Sequence, residues 1–361
     1  MDRIINSILR EITVLVTGGG SPGIIGTIHS LKNNYDNRKV KIICTDAKSE
    51  CAGKFIADKF YQIPRADHNK MEYLKVMYDI CKFEKVDVVL PQNTSELILL
   101  SNNEENFLRF NTKIIITGQK TISLANNKYE LLKVCKKNNI PYPDYNIASN
   151  KKKLVELIKK MGWPKKTIVV KVPDSNGSRG IRIIDEGKDY KKMFYNEKPT
   201  NLFMKLNNFL DLLDNEFPPL LIMEYLPGDE VSIDVFRDKK NFISIPRKRN
   251  QIRSGISFEN SAVNDEELIR YSKVLSDELN LKYCFGFQFK YDSSNIPKIL
   301  ECNPRVQGTM VFSTFMGVNL IYSSIKSCLG EKIPELKYEW DTKLLRYWGA
   351  IGINSNSITK V

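Results

Sequence analysis

Ile299-Leu300-Glu301-Cys302-Asn303-Pro304-Arg305 is the stretch on which the reading of this chain turns. Two apolar residues lead into a carboxylate and an amide two positions apart, and a proline and an arginine close the run. In an extended strand successive side chains point to opposite faces, so Glu301 and Asn303 share one face while Cys302 turns into apolar packing on the other. Upstream, Phe285-Gly286-Phe287-Gln288-Phe289 is a second extended run with one amide among aromatics. Oxygen donors on adjacent strands suit magnesium, a hard ion that keeps waters and shares triphosphate oxygens. Gln288, Glu301 and Asn303 are therefore the candidate metal ligands, and Arg305 offers a guanidinium matched to phosphate charge. The plainer reading of two polar side chains on a strand is a wet face, and the adjoining Pro304-Arg305 weighs against it.

Working outward, Ile222-Met223-Glu224-Tyr225-Leu226-Pro227-Gly228-Asp229-Glu230-Val231-Ser232-Ile233-Asp234 is a strand, a turn and a strand that opens on acids. The backbone around Glu224, Tyr225 and Leu226 can hydrogen-bond adenine, and a carboxylate at Glu230 suits two ribose hydroxyls. Further upstream, Thr167-Ile168-Val169-Val170-Lys171 ends an apolar strand on a lysine, a costly place for an ammonium unless an anion meets it. Asp174-Ser175-Asn176-Gly177-Ser178-Arg179-Gly180 follows, a loop of small polar residues able to close over phosphates, or a plain hairpin turn. Lys128 opens a Lys-rich helix and persuades only in this company. Ile245 to Gly255 packs Arg247, Lys248, Arg249 and Arg253 beside an apolar strand. That segment is either a solvated loop or a holder, through Arg247 or Arg253, for a substrate carboxylate or acyl phosphate.

The N-terminal part has another texture. Ile12–Thr17, Val40–Thr45, Val86–Leu90 and Lys113–Thr117 are apolar runs alternating with helical stretches near 24–32 and 71–82. Such alternation indicates βαβ units and a doubly wound parallel sheet. Gly18-Gly19-Gly20-Ser21-Pro22-Gly23-Ile24-Ile25-Gly26 follows the first strand, and Asp46 closes the second. That context approaches a dinucleotide fingerprint, although Pro22 stiffens the loop; a glycine turn, or an anion at the helix N-terminus, are the other readings. Beyond residue 126 come helices near 128–138 and 152–161 and a Lys- and Asn-rich helical stretch over 190–217, and from about 220 a run of strands with few helices, an α+β texture.

Taken jointly these motifs resemble the ATP-grasp superfamily, and within it the branch of the carbamoyl phosphate synthase large chain. The resemblance covers nearly the whole chain and implies a pre-ATP-grasp α/β domain over 1–125 and an ATP-grasp domain over 126–330. The latter divides into a smaller lid-bearing lobe, 126–225, and a larger antiparallel-sheet lobe, 226–330, with a C-terminal tail, 331–361, packed on it. By the same resemblance Lys128, Lys171, Ser178, Glu224, Tyr225, Leu226 and Glu230 bind ATP. Gln288, Glu301 and Asn303 bind Mg2+ (or Mn2+), and Lys171, Arg305 and Arg253 serve the chemistry. The family carries a carboxylate in many members where this chain has Gln288, and glutamine in the carbamoyl phosphate synthase branch. The implied activity is a carboxylate–amine (or carboxylate–ammonia) ligase acting through an acyl phosphate. An NAD(P)-dependent oxidoreductase built on the first glycine loop and a non-catalytic ATP-binding regulator are the alternatives.

Bulk properties agree. The chain has 361 residues, 42% hydrophobic and 27% charged, and a formal charge of +13. The basic excess lies in runs such as Lys151–Lys153 and Lys191–Lys192 without interleaved stacking aromatics, which argues against nucleic acid as the main partner. Small carboxylate and amine substrates are the expected partners, with a homodimer compatible. Seven scattered cysteines and two histidines exclude zinc, disulfide and histidine-based designs. No long apolar run suggests a membrane span, and Arg3, Arg10 and Glu11 interrupt the first apolar residues, so a cytoplasmic protein is expected.

Overall fold

The computed structural model describes residues 9–175, 177, 179–198, 202–353 and 358–360. Two compact units partition the chain: the first takes residues up to Ala125, Val231–Phe287 and Cys302 onward, and the second takes Asn126–Glu230 and Gln288–Glu301.

The first unit opens with five parallel strands: β1 (Ile12–Thr17), β2 (Val40–Asp46), β3 (Lys59–Gln62), β4 (Val88–Leu90) and β5 (Lys113–Ile114). Their order is β3-β2-β1-β4-β5, so the winding reverses between β1 and β4. Both faces of the sheet are covered: Val14, Val16, Ile42 and Cys44 face one apolar core, and Leu15, Ile43 and Val89 face another. This is why these strands read as continuous apolar runs instead of alternating ones.

The glycine loop follows β1 at this reversal and leads into helix α1 (Ile24–Lys32). Its glycines answer packing. A Cβ on Gly23 would stand 2.8 Å from the Gly308 Cα, and one on Gly26 would stand 2.8 Å from Val311 Cβ. The Asp46 carboxylate, which a ribose would need, accepts instead from the N–H groups of Gly20 at 2.7 Å and Lys48 at 2.8 Å. The loop is therefore scaffold.

In the second unit, strands β6 (Tyr145–Asn150), β7 (Ile168–Lys171), β8 (Ile181–Ile184), β9 (Phe203–Met204) and β10 (Glu216–Glu224) form a mixed sheet, ordered β6-β10-β7-β8-β9. The helix Lys151–Lys160 lays Leu154, Leu157 and Ile158 against Ile168, Val170 and Ile222 of this sheet. A six-stranded sheet carries β11 (Glu230–Arg237), β12 (Phe242–Arg253), β13 (Ile256–Ala262), β14 (Tyr283–Tyr291), β15 (Pro297–Asn303) and β16 (Lys343–Leu345) in the order β15-β14-β11-β12-β13-β16. β11, β12, β13 and β16 pair antiparallel. The division between the units falls inside β14 and β15.

Several elements escape the sequence reading. The basic segment is the second half of a twelve-residue strand, β12, closed by Ser254 and Gly255, both at positive φ (49° and 77°) in a two-residue hairpin turn. Besides the short helix Val311–Phe315, two longer helices occupy the region expected to be poor in them, Glu266–Glu278 and Leu320–Leu329. The helix Leu320–Leu329 is packed on all sides and so shows no polar face; Ser323 and Ser324 are fully buried and return their hydroxyls to the carbonyls of Asn319 and Leu320. All seven cysteines are free, and among the described residues no helix is long and apolar enough to cross a membrane.

Candidate active site

In the second unit the chain gathers charge around Lys171. The ladder that β7 makes with β10 and β8 carries this lysine to the strand end, Lys171 opposite Leu221 on one side and Ile181 on the other. Burial strips water from its ammonium and brings its pKa down to about 8; Glu301 and Glu230 pull it back up, while Lys128 and Lys290 push it down. Two carboxylates and three ammoniums thus act on one another within this unit.

Lys128 is buried, at 6% exposure, at the first position of the helix Lys128–Lys137. Asn127 caps that helix by accepting from the N–H groups of Tyr129 and Glu130, which fixes where the lysine leaves the backbone. Lys128 Nζ donates to the Ser175 carbonyl at 2.5 Å and lies 3.5 Å from Glu301 Oε2. It thereby ties the polar loop after β7 to the carboxylate on β15. Ser178 of that loop lies outside the described residues.

Glu224 ends β10, and its groups are already engaged: its N–H donates to the Asp144 carbonyl at 3.0 Å, and its carboxylate accepts from the Asp144 N–H at 3.1 Å and pairs with Lys298. Lys298 also lies 3.2 Å from Asp292. Tyr225 lies under the Lys290 ammonium at 5.6 Å, and Leu226 is buried. Gly228 fits because its N–H meets the Tyr291 carbonyl at 2.9 Å, where a Cβ would stand 2.8 Å from that oxygen. Glu230 follows as the first residue of β11. Gln288 is half-buried on β14.

In the first unit Cys302 is buried as its alternation requires, and Asn303 is buried at 6% exposure. Arg305 donates Nη2 to Asn303 Oδ1 at 3.2 Å, Nε to Thr94 Oγ1 at 3.0 Å and Nη1 to the Val306 carbonyl at 3.0 Å. These bonds hold the amide that ends β15. Arg253 sits at the exposed tip of the β12–β13 hairpin, its guanidinium 4.8 Å from the Phe258 ring centre. Arg247 is the buried arginine of the basic strand. It pairs with Asp234 at 2.7 Å, at side-chain exposures of 3% and 0%, and donates to Asn260 Oδ1 at 2.8 Å and Gln307 Oε1 at 3.2 Å. Gln307 went unread in the sequence, although it stands two residues past Arg305. Its amide lies where a Cβ on Gly286 would be, 1.9 Å from Nε2, so the lone glycine of the aromatic run Phe285–Phe289 was the available signal.

Gln288 and Glu301 belong to the second unit and Asn303 to the first; each offers oxygen, a donor that suits magnesium better than zinc. Among the described residues no trio of His, Cys, Asp and Glu is grouped for a metal.

Known proteins share this fold. Residues 216–346 match the family described as ATP-grasp in the biosynthetic pathway with Ter operon, and residues 14–115 match the PylC-like N-terminal domain. The carbamoyl phosphate synthase large chain of Clostridium acetobutylicum is 24% identical over 283 residues, 75% of this chain and 25% of its own. The chain thus spans about a quarter of the length of that relative. Among solved structures, N5-carboxyaminoimidazole synthetase from Staphylococcus aureus complexed with ADP superposes with TM-score 0.66 at 17% identity, covering 92% of this chain and 81% of that one. The biotin carboxylase domain of the Hydrogenobacter thermophilus 2-oxoglutarate carboxylase, with MgADP and bicarbonate, gives 0.67 at 18%, covering 92% and 73%. The fold is a doubly wound domain followed by an ATP-grasp architecture. The chain carries an ATP-grasp domain and a PylC-like N-terminal domain and is homologous to the carbamoyl phosphate synthase large chain.

Proposed function

We propose that this chain is an ATP- and magnesium-dependent ligase that activates a small carboxylate as an acyl phosphate and joins it to an amine or ammonia. The observation that carries this reading is half-buried Lys171, its ammonium desolvated and acted on by Glu301, Glu230 and Lys128 at the end of an apolar strand. A desolvated cation of this kind is stabilised by an anion that arrives with the substrate, and ATP supplies one.

In this proposal Lys128 and Lys171 hold phosphate oxygens, Glu230 takes the ribose hydroxyls, and the backbone at Tyr225 and Leu226 takes adenine. Because the Glu224 side chain and N–H are engaged with Lys298 and Asp144, Glu224 acts by setting that backbone. Gln288, Glu301 and Asn303 would hold magnesium, which supplies charge neutralisation on the phosphates when bound. Arg305 orients the Asn303 amide through its 3.2 Å bond. The substrate carboxylate attacks the γ-phosphorus, ADP leaves, and the amine then displaces phosphate. The protein contributes position and electrostatics, so no nucleophilic side chain is required. Arg253, exposed at a hairpin tip, is assigned a substrate contact, whereas Arg247 is occupied by Asp234, Asn260 and Gln307. The domain limits proposed are those of the motifs, 1–125, 126–225, 226–330 and 331–361.

The test is ADP release with magnesium across a panel of carboxylate–amine pairs. Turnover is expected only when both magnesium and a carboxylate are present. Glu301→Gln is expected to lower turnover by on the order of 100-fold or more with unchanged circular dichroism. A Glu301→Gln protein with near-wild-type turnover would remove the metal assignment, and ADP release indifferent to every carboxylate would remove the ligase reading.

A further inference from the structure

The turn of the β11–β12 hairpin, the end of the helix Glu266–Glu278 and the end of the helix Leu320–Leu329 enclose a recess of about 860 Å³, all of it within the first unit. Both acids that line it are already engaged. Asp238 turns into the hairpin and accepts from the N–H groups of Lys240 at 2.8 Å and Asn241 at 2.7 Å, and from the Asn241 amide at 3.0 Å. Glu331 accepts through both oxygens from Arg38, each at 2.9 Å. The one lining guanidinium is engaged as well: Arg237 pairs with Asp277 at 2.8 Å and donates to the Leu281 carbonyl at 2.7 Å.

What remains is Lys239, Lys240, Lys282 and Lys332, exposed around the recess, and none of the four forms an ion pair among the described residues. Glu104 acts on Lys282 without pairing with it. Both helices end here, and the C-terminal end of each carries about half a negative charge, which nearby lysines ordinarily offset. Two such ends and Glu104 do not balance four ammoniums, so positive charge is left over.

A merely solvated basic face needs no shaped floor. Here Tyr283, the first residue of β14, holds φ at 62°, a left-handed conformation that costs an aromatic residue about 1–3 kcal/mol and collects at ligand sites. Its hydroxyl bonds the buried Cys328 thiol, which fixes the half-buried side chain. Asn280, at φ 51°, is ordinary by comparison, because it closes the helix before it in a glycine-like position. Tyr283 and buried Ile333 give the recess an apolar wall among its cations. Its volume is that of a small-molecule site. The free cations are all ammoniums, point charges on flexible stems that suit phosphate oxygens, whereas planar carboxylates are gripped best by a guanidinium fork.

We propose that this recess is a separate ligand site for a small molecule carrying a diphosphate or two phosphate groups. Lys239, Lys240, Lys282 and Lys332 hold the phosphates, and Tyr283 and Ile333 meet the uncharged part. None of these residues belongs to the ligase assignment above.

The probe is pyrophosphate, added to the whole protein without magnesium or ATP. Binding is read by calorimetry, and protection of each lysine from acetylation by acetic anhydride is read by peptide mass spectrometry. Pyrophosphate can also enter the place assigned to the ATP phosphates, and protection read residue by residue separates the two. Lys282 and Lys332 are expected to be protected. The double variant Lys239→Gln, Lys240→Gln is expected to raise the pyrophosphate concentration needed for that protection by about tenfold or more. The double variant Lys128→Gln, Lys171→Gln is expected to leave it unchanged. Absence of protection in the wild-type protein, protection unchanged in the Lys239, Lys240 variant, or protection lost in the Lys128, Lys171 variant would each overturn the site. Succinate protecting as well as pyrophosphate would overturn the preference for phosphate. A short single-stranded oligonucleotide protecting the same lysines at concentrations far below those of pyrophosphate would overturn the small-molecule occupant in favour of a nucleic acid.

Discussion

Lys171 shows how much one side chain can be bent by its surroundings. Its ammonium is desolvated at the end of β7, and its pKa of about 8 lies below the usual lysine value of 10.5. For a base lowered on folding, the folded state binds fewer protons between the two values, so this group costs stability below pH 8 and the cost fades as pH rises from about 8 toward 10.5. A bound triphosphate reverses the sign by favouring the charged form. MgATP binding at pH 8.5 to 9 is therefore expected to take up a proton, read from calorimetry in two buffers of different ionisation enthalpy. Equal apparent enthalpies in the two buffers would show that Lys171 does not meet the nucleotide. Arg247 teaches a second lesson at this scale. Basic composition alone could not tell a solvated loop from a buried pair, and the Asp234 that decides it lies 13 residues away.

At the scale of elements, α1 is placed by absent side chains. Gly23 and Gly26 let the helix lie directly on Gly308 and Val311, and at Gly23 the opposing atoms are backbone, which cannot swing aside. Gly23→Ala is expected to lose about 1–3 kcal/mol by overpacking, more than Gly26→Ala, whose opposing atoms belong to the Val311 side chain. Urea unfolding of the two variants checks the order. The glycine spacing was plain in the sequence, but its meaning was not. A dinucleotide loop and a close helix contact ask the same of the backbone, and only the position of Gly308 separates them. The helix Leu320–Leu329 was hidden for a related reason, since an element buried all round loses the polar face that marks a helix in sequence.

For the whole molecule, a ligand that binds only the folded chain adds to its stability by mass action. MgATP at about a hundredfold excess over its Kd is expected to add about 2.7 kcal/mol, seen as a rise in Tm that magnesium-free ATP or NADH does not match. A Tm indifferent to MgATP would contradict nucleotide binding outright. The parallel N-terminal sheet and the candidate metal ligands could be read from the chain itself, because strand alternation and the spacing of Glu301, Asn303 and Arg305 are local properties of consecutive residues. What tertiary structure alone decided was which charges meet. Lys128 with Glu301, Arg247 with Asp234 and Gln307, and Arg346 with the glycine loop are separated by 173, 13, 60 and 324 residues at their longest reach, and no local periodicity encodes such encounters. Burial then sets what each charge does, since an ammonium or guanidinium acquires its chemistry from the solvent it loses and the partner it finds.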